Sequence, residues 1–143
     1  MLSYTCKTAI KAVIFLATKY DKGLKCGIKE IAENIDASEH TVGKLLQILV
    51  KQQVINSLKG PSGGFYINDE QLRMPIMKIV EAIDGEETFR MCGLGLSRCS
   101  AIHPCPIHND YKQARDILEK IFRSNGILDL CTPVNKGLAY LFG

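Results

Sequence analysis

The amino-acid sequence predicts a mainly α-helical fold with one small β wing, and three observations predict it. Apolar residues recur at helical spacing in several segments of the 143-residue chain. Two short strand-like runs flank a glycine-rich turn around a proline at 59–63. The chain is 46% hydrophobic and 23% charged, a balance that buries a core and excludes a disordered polymer.

The first helix is expected over about residues 5–20. Ala9, Ile10, Ala12, Val13, Leu16 and Ala17 make a wide apolar face, and Gly23 closes the region. A shorter helix follows over 28–35, with Ile28, Ile31, Ala32 and Ile35 at helical spacing. Asp36, Ala37 and Ser38 connect it to a third helix that begins near Glu39, with Ser38 as N-cap. Val42, Leu45, Leu46 and Leu49 are that helix's core residues. Two short helices with so brief a connection match a helix-turn-helix unit, or a plain helical hairpin. The strands expected at 54–58 and 64–68 favour the first reading, because they place a wing directly after the second helix.

In that reading Ser38, Glu39, His40, Thr41 and Lys44 stand at the end of the helix that meets base edges in a major groove. Lys59, Gly60, Pro61, Ser62 and Gly63 form the wing tip, where glycine permits close approach to phosphate and Lys59 supplies charge. The charge distribution agrees with a polyanionic partner. Residues 1–78 hold eleven Lys/Arg against seven Asp/Glu, whereas residues 79–143 hold seven against eight.

Pro75 is expected in the first turn of a fourth helix with core residues Ile76, Ile79, Val80 and Ile83. A long helix is expected over 108–124, carrying Tyr111, Ala114, Ile117, Leu118, Ile121 and Phe122 on one stripe. An amphipathic helix of this length beyond a small winged domain calls for a partner, so it is read as a dimerisation helix in a twofold homodimer. Beyond Gly126 lie the apolar patch 127–130 and a possible last helix from Pro133. The division expected is a winged helix-turn-helix DNA-binding domain at 1–84, a cysteine-rich loop at 85–107, and a dimerisation helix with its tail at 108–143.

The apolar run 9–17 is interrupted by Lys11 and is too short to span a bilayer, so a cytoplasmic protein with no membrane partner is expected. Thiols stay reduced in that compartment, and the six cysteines then serve as ligands, redox groups or core residues rather than disulfides. Cys92, Cys99, Cys105 and His108 fall in one glycine- and proline-broken stretch, the chemistry of a zinc or iron–sulfur site. Zinc sites favour a close Cys-x-x-Cys pair, which this loop lacks. An iron–sulfur cluster, cluster-free redox-sensing thiols and structural zinc all remain readings of these residues. Cys6, Cys26 and Cys131 lack spaced partners and read as buried small residues, and His103 as a loop residue. No nucleotide-binding glycine loop, carboxylate pair or nucleophile–base motif points to an enzyme. The functional alternatives are a cluster-sensing regulator, a cluster-free thiol-sensing regulator, and a redox carrier whose winged domain binds protein.

The segments KTAIKAVIFLA, IKEIAENIDASEHTVGKLLQILVKQQVI and SLKGPSGGFYI, with the three-cysteine loop, resemble the IscR/NsrR/CymR-type winged helix-turn-helix transcriptional regulators. The likeness covers about residues 4–124. It implies a dimeric regulator, a repressor by preference, that binds double-stranded DNA at a palindromic operator. It also implies an iron–sulfur cluster near the dimer interface. His108, three residues past the last cysteine, matches the members that complete a two-iron, two-sulfur site with histidine. Members with a four-iron, four-sulfur site use an acidic residue near the start of the first helix, where this chain has Lys7. Two features depart from the family pattern: six residues lie between Cys92 and Cys99, where five are common, and Gly43 replaces a larger, often acidic residue.

Overall fold

A computed structural model describes residues 1–143. Helix α1, Tyr4–Thr18, opens on Ser3, whose hydroxyl accepts the Cys6 N–H at 3.0 Å. Its burial is wider than one stripe: Ala9, Ala12, Val13, Ile14, Phe15, Leu16 and Ala17 are all buried, so it is a central helix rather than a surface one. Helix α2, Ile28–Asn34, ends at Ile35, and Asp36 turns the chain with φ 52°. Ser38 then caps α3, Glu39–Lys51, accepting the Thr41 N–H at 3.2 Å. Val42, Leu45, Leu46 and Leu49 of α3 are fully buried, as their spacing predicts.

The wing is shorter than the sequence suggests. Strands β1, Asn56–Leu58, and β2, Gly64–Tyr66, pair antiparallel with Ser57 opposite Phe65. Val54 and Ile55 precede β1 as core residues. A third segment supports the hairpin. The Cys26 N–H donates to the Phe65 carbonyl at 2.9 Å, and the Phe65 N–H returns a bond to the Cys26 carbonyl at 2.8 Å. This long-range bridge has no local sequence signature. Gly64 is required at this crossing: with φ 141°, a Cβ there would sit 2.9 Å from the Cys26 carbonyl oxygen.

A short helix unforeseen from apolar spacing, α4, spans Asp69–Leu72. A capping box defines it, in which Asn68 and Gln71 each bond the other's backbone N–H. The buried Gln71 amide also ties the wing down, donating to the Gln53 carbonyl at 3.1 Å and exchanging bonds with Asn56 at 3.0 Å. Helix α5, Met77–Asp84, starts two residues after Pro75. Pro75 instead lies in a bridge to Gly126, with the Ile76 N–H donating to the Asn125 carbonyl at 3.0 Å.

Helix α6, His108–Ser124, has the length expected. The last helix differs: α7 runs Ile127–Asn135, so the apolar patch and Pro133 belong to one helix rather than to a patch and a later start. Its Ile127 and Cys131 enter the main core with α1, α2, α3 and α5. A second, smaller core joins Cys6, Met77, Val80 and Phe89 to Leu118 and Phe122 of α6. The Phe89 and Phe122 rings lie 5.5 Å apart in a tilted pair.

Cys6, Cys26 and Cys131 are buried core thiols, as expected. Burial, with Asp84 alongside, pushes the Cys6 thiol up to about 12, and burial with Glu30 pushes Cys26 to about 11. A thiol so shifted is neutral and unreactive at neutral pH. Iodoacetamide under native conditions is expected to modify the half-buried Cys99 well before these three, as read by peptide mass mapping. Equal labelling of all six thiols would contradict this core.

Candidate DNA interface and cysteine loop

The first turn of α3 presents Ser38, Glu39, His40 and Lys44 to solvent, with Thr41 half-buried and bonded to the cap hydroxyl. Lys59, Gly60, Pro61 and Ser62 are exposed at the wing tip. The turn is tight: the Gly63 N–H donates to the Gly60 carbonyl at 3.0 Å, and Gly60 has φ 105°. A Cβ on Gly63 would fall 2.0 Å from the Leu58 carbonyl oxygen, so a side chain there opens the hairpin.

Between α3 and the wing lies a groove of about 410 Å³ lined by Gln47, Val50, Lys51, Ser57, Lys59 and Phe65 among others. Gln47 and Lys51 are exposed surface residues that sequence reasoning passed over. Their signal was legible: Lys44, Gln47 and Lys51 are spaced at i, i+3 and i+7 on the solvent face of α3.

The cysteine loop sits against the N-terminal half of α6. Phe89 anchors its start, fully buried in the small core. Gly93 lies on the Tyr111 ring so closely that a Cβ would approach ring carbons at 2.6 Å. Tyr111, placed by sequence on the dimerisation stripe, is therefore also the floor of this loop. His108 opens α6, and its N–H donates to the Cys105 carbonyl at 3.0 Å.

The four candidate ligands meet as two pairs. Cys99 Sγ lies 3.4 Å from His108 Nδ1. Cys105 lies close enough to Cys92 to help lower its pKa, and both are buried. The neighbouring backbone N–H groups, that of Leu94 most and then that of Leu96, lower the Cys92 pKa; the Gly95 N–H donates to the Cys92 carbonyl at 3.0 Å. Backbone amides beside a sulfur favour a thiolate, the form that binds metal. No group of three or more Cys, His, Asp or Glu side chains stands at metal-ligating spacing. The donor set fits a metal–thiolate site in chemistry, with the two pairs still apart. His103 is exposed on the loop, with its N–H directed to Ser100 Oγ at 3.4 Å.

A residue that sequence reasoning missed completes the surroundings. Arg115 of α6 is buried, and its Nη1 donates to the Met91 carbonyl at 2.6 Å and to Cys99 Sγ at 3.3 Å. Helical spacing places it seven residues beyond His108 on the same face, a pattern hidden by the habit of counting only apolar residues there.

Helix α6 divides the expected dimerisation stripe. Leu118 and Phe122 turn inward to the small core, whereas Ala114, Ile117 and Ile121 remain exposed. No helix is long and apolar enough to cross a membrane.

Comparison with known proteins agrees with this architecture. The family model Rrf2, described as an iron-dependent transcriptional regulator, matches residues 2–133. The chain is 29% identical over 140 residues to a protein of Aquifex aeolicus named as an HTH-type transcriptional regulator, covering 96% of each. It is 28% identical over 112 residues to one named BadM from Rhodopseudomonas palustris, covering 78% of this chain and 62% of that protein. Among solved structures it is similar to CymR, the global cysteine regulator of B. subtilis, with a TM-score of 0.74 at 19% identity over 92% of this chain and 96% of that one. The likeness to T. potens IscR has the same TM-score of 0.74 at 17% identity, over 97% and 91%. At such identity the structures speak to the winged helix-turn-helix fold, while the family match spans nearly the whole sequence. The chain belongs to the Rrf2 family of DNA-binding helix-turn-helix transcriptional regulators, which are not enzymes.

Proposed function

We propose that this regulator is a cytoplasmic homodimer that binds a palindromic operator, acts as a repressor, and senses redox, nitric oxide or iron–sulfur status. The sensor is an iron–sulfur cluster held by Cys92, Cys99, Cys105 and His108, with a two-iron, two-sulfur form preferred. The observation that carries this reading is the pairing of Cys99 with His108 at 3.4 Å, where the short loop that also holds Cys92 and Cys105 meets α6. When bound, the cluster supplies a redox couple and a sensitivity to oxidants that side chains alone lack. The amide cradle holds Cys92 toward thiolate, Tyr111 fixes the backbone at Gly93, and His108 is oriented by the first turn of α6.

The division of labour follows the three segments read from sequence: a DNA reader at 1–84, a sensor loop at 85–107, and α6 with the tail at 108–143. Ser38, Glu39, His40, Thr41 and Lys44 enter the major groove, and Lys59 to Gly63 reach phosphate at the minor groove. Ala114, Ile117 and Ile121 form the twofold contact, with Tyr111, Leu118 and Phe122 supporting it from the inner side of α6. Half-sites lie about 34 Å apart, so a small rotation of one head relative to the other changes the fit of both recognition helices. A second reading has its own support. The Cys92–Cys105 contact suits a disulfide formed when an oxidant removes two electrons and two protons, making a thiol sensor without a cluster.

Three measurements test this function. Protein purified without oxygen is expected to be brown, with matched iron and sulfide, and Cys99→Ala to lose both; a colourless protein after reconstitution leaves the thiol sensor. Lys44→Ala and Lys59→Ala are each expected to weaken operator binding and to flatten the slope of log affinity against log salt by about one unit. Unchanged slopes would remove both from the phosphate contacts. Light scattering during size exclusion is expected to give a dimer, and Ile117→Asp with Ile121→Asp a folded monomer; a monomeric parent protein would overturn the twofold model.

A further inference from the structure

Arg115 is a buried cation that forms no ion pair: the neighbouring Asp116 feels its charge but is bonded to Lys112. It is 5% exposed, and its Nε has no hydrogen-bond partner. Every ion pair in the chain lies elsewhere: Arg73–Asp69, Lys78–Glu81, Arg90–Glu87, Lys112–Asp116, and Arg123 with Glu81 and Glu119. The guanidinium's hydrogen bonds, both from Nη1, go to the Met91 carbonyl and Cys99 Sγ. Charge is rarely buried without compensation, because desolvation costs more than a carbonyl contact returns. Snorkelling offers little escape, since the whole residue is 5% exposed and its Nε is enclosed.

We infer that Arg115 is the counter-charge for an anionic metal–thiolate guest of the cysteine loop, a positioning residue rather than a ligand. This rests on the cluster-binding reading above. Three thiolates and a neutral imidazole around a ferric two-iron, two-sulfide core leave one surplus negative charge, and so do the same ligands around zinc(II). The single positive charge of Arg115 offsets that surplus from beside Cys99. Its bond to the Met91 carbonyl fastens the residue that precedes Cys92, so one nitrogen, Nη1, reaches both ends of the loop's first cysteine gap. The free Nε retains donor capacity for a further sulfur acceptor.

The test compares the parent protein with Arg115→Met, which keeps bulk and drops charge, and Arg115→Lys, which keeps charge. Each is loaded without oxygen, once with ferrous iron and sulfide and once with zinc(II) alone. Arg115→Met is expected to lose affinity for zinc roughly tenfold or more, the range for removing a group that supports metal ligands. It is expected to hold less iron and sulfide and to show a more negative reduction potential, with Arg115→Lys recovering most of both. The unloaded Arg115→Met protein is expected to melt at the parent temperature or higher, since an uncompensated charge has been removed. Parent-like loading and potential in Arg115→Met would overturn the inference. So would a large fall in its unloaded melting temperature that Arg115→Lys does not restore, which marks a structural strut. If the parent binds zinc but no iron, the cluster reading fails and the inference is decided by zinc affinity. If the parent binds neither, both fail.

Discussion

The burial of α1 on nearly all sides is the constraint from which the rest of the molecule follows. Ala9, Ala12, Val13 and Leu16 are almost wholly enclosed, and α2, α3, α5, α7 and β2 all pack on this helix. Val13 and Leu16 each contribute about 1.5–3 kcal/mol by full burial, and the alanine methyls less. The small residues Ala9, Ala12 and Ala17 let neighbours approach closely. The recognition helix is therefore not an appendage. Its Val42, Leu45, Leu46 and Leu49 are held in the same core that receives Ile127 and Cys131 from the far end of the chain.

Local chemistry made most of this legible. The helical spacing in α1, α2, α3 and α6, the Ser38 cap and the glycine-rich turn are set by neighbours in sequence, and each appears where that chemistry places it. Contacts between distant segments were not legible. The Cys26–Phe65 bridge and the Pro75–Gly126 bridge join residues far apart in the chain, and neither leaves a periodic trace. Helix α4 was hidden because a capping box rather than an apolar stripe defines it. The start of α7 was displaced because Pro133 read as a beginning, although α7 opens at Gly126, whose N–H donates to Asp129 Oδ2 at 2.7 Å.

The cysteine loop divides in the same way. Which residues carry sulfur and imidazole is written in the sequence, and so is their crowding. The two-pair arrangement and the Arg115 contacts depend on how α6 packs, which apolar counting leaves open. Tyr111 has the same history: its ring faces Gly93, a contact across eighteen positions of chain that only the fold reveals.

If the cysteine loop senses as proposed, it needs a stiff connection to the DNA reader, and α5 has the form of one. Ile76, just before it, and Ile79 lie in the main core with α3, whereas Met77 and Val80 lie in the small core with Phe89 and α6. The two sets alternate along one short helix, so α5 is a shared wall between two hydrophobic compartments. Packed interiors resist continuous deformation and move between discrete arrangements. A change in the loop that shifts Phe89 against Phe122 thus acts on Met77 and Val80, and α5 passes it to the helix that carries Lys44. Coupling by this route requires that the loop have two states of different packing, not merely different charge. The loop's exposed Met91, Leu94, Leu96 and Ile102 are the apolar surface that such a second packing would have to bury.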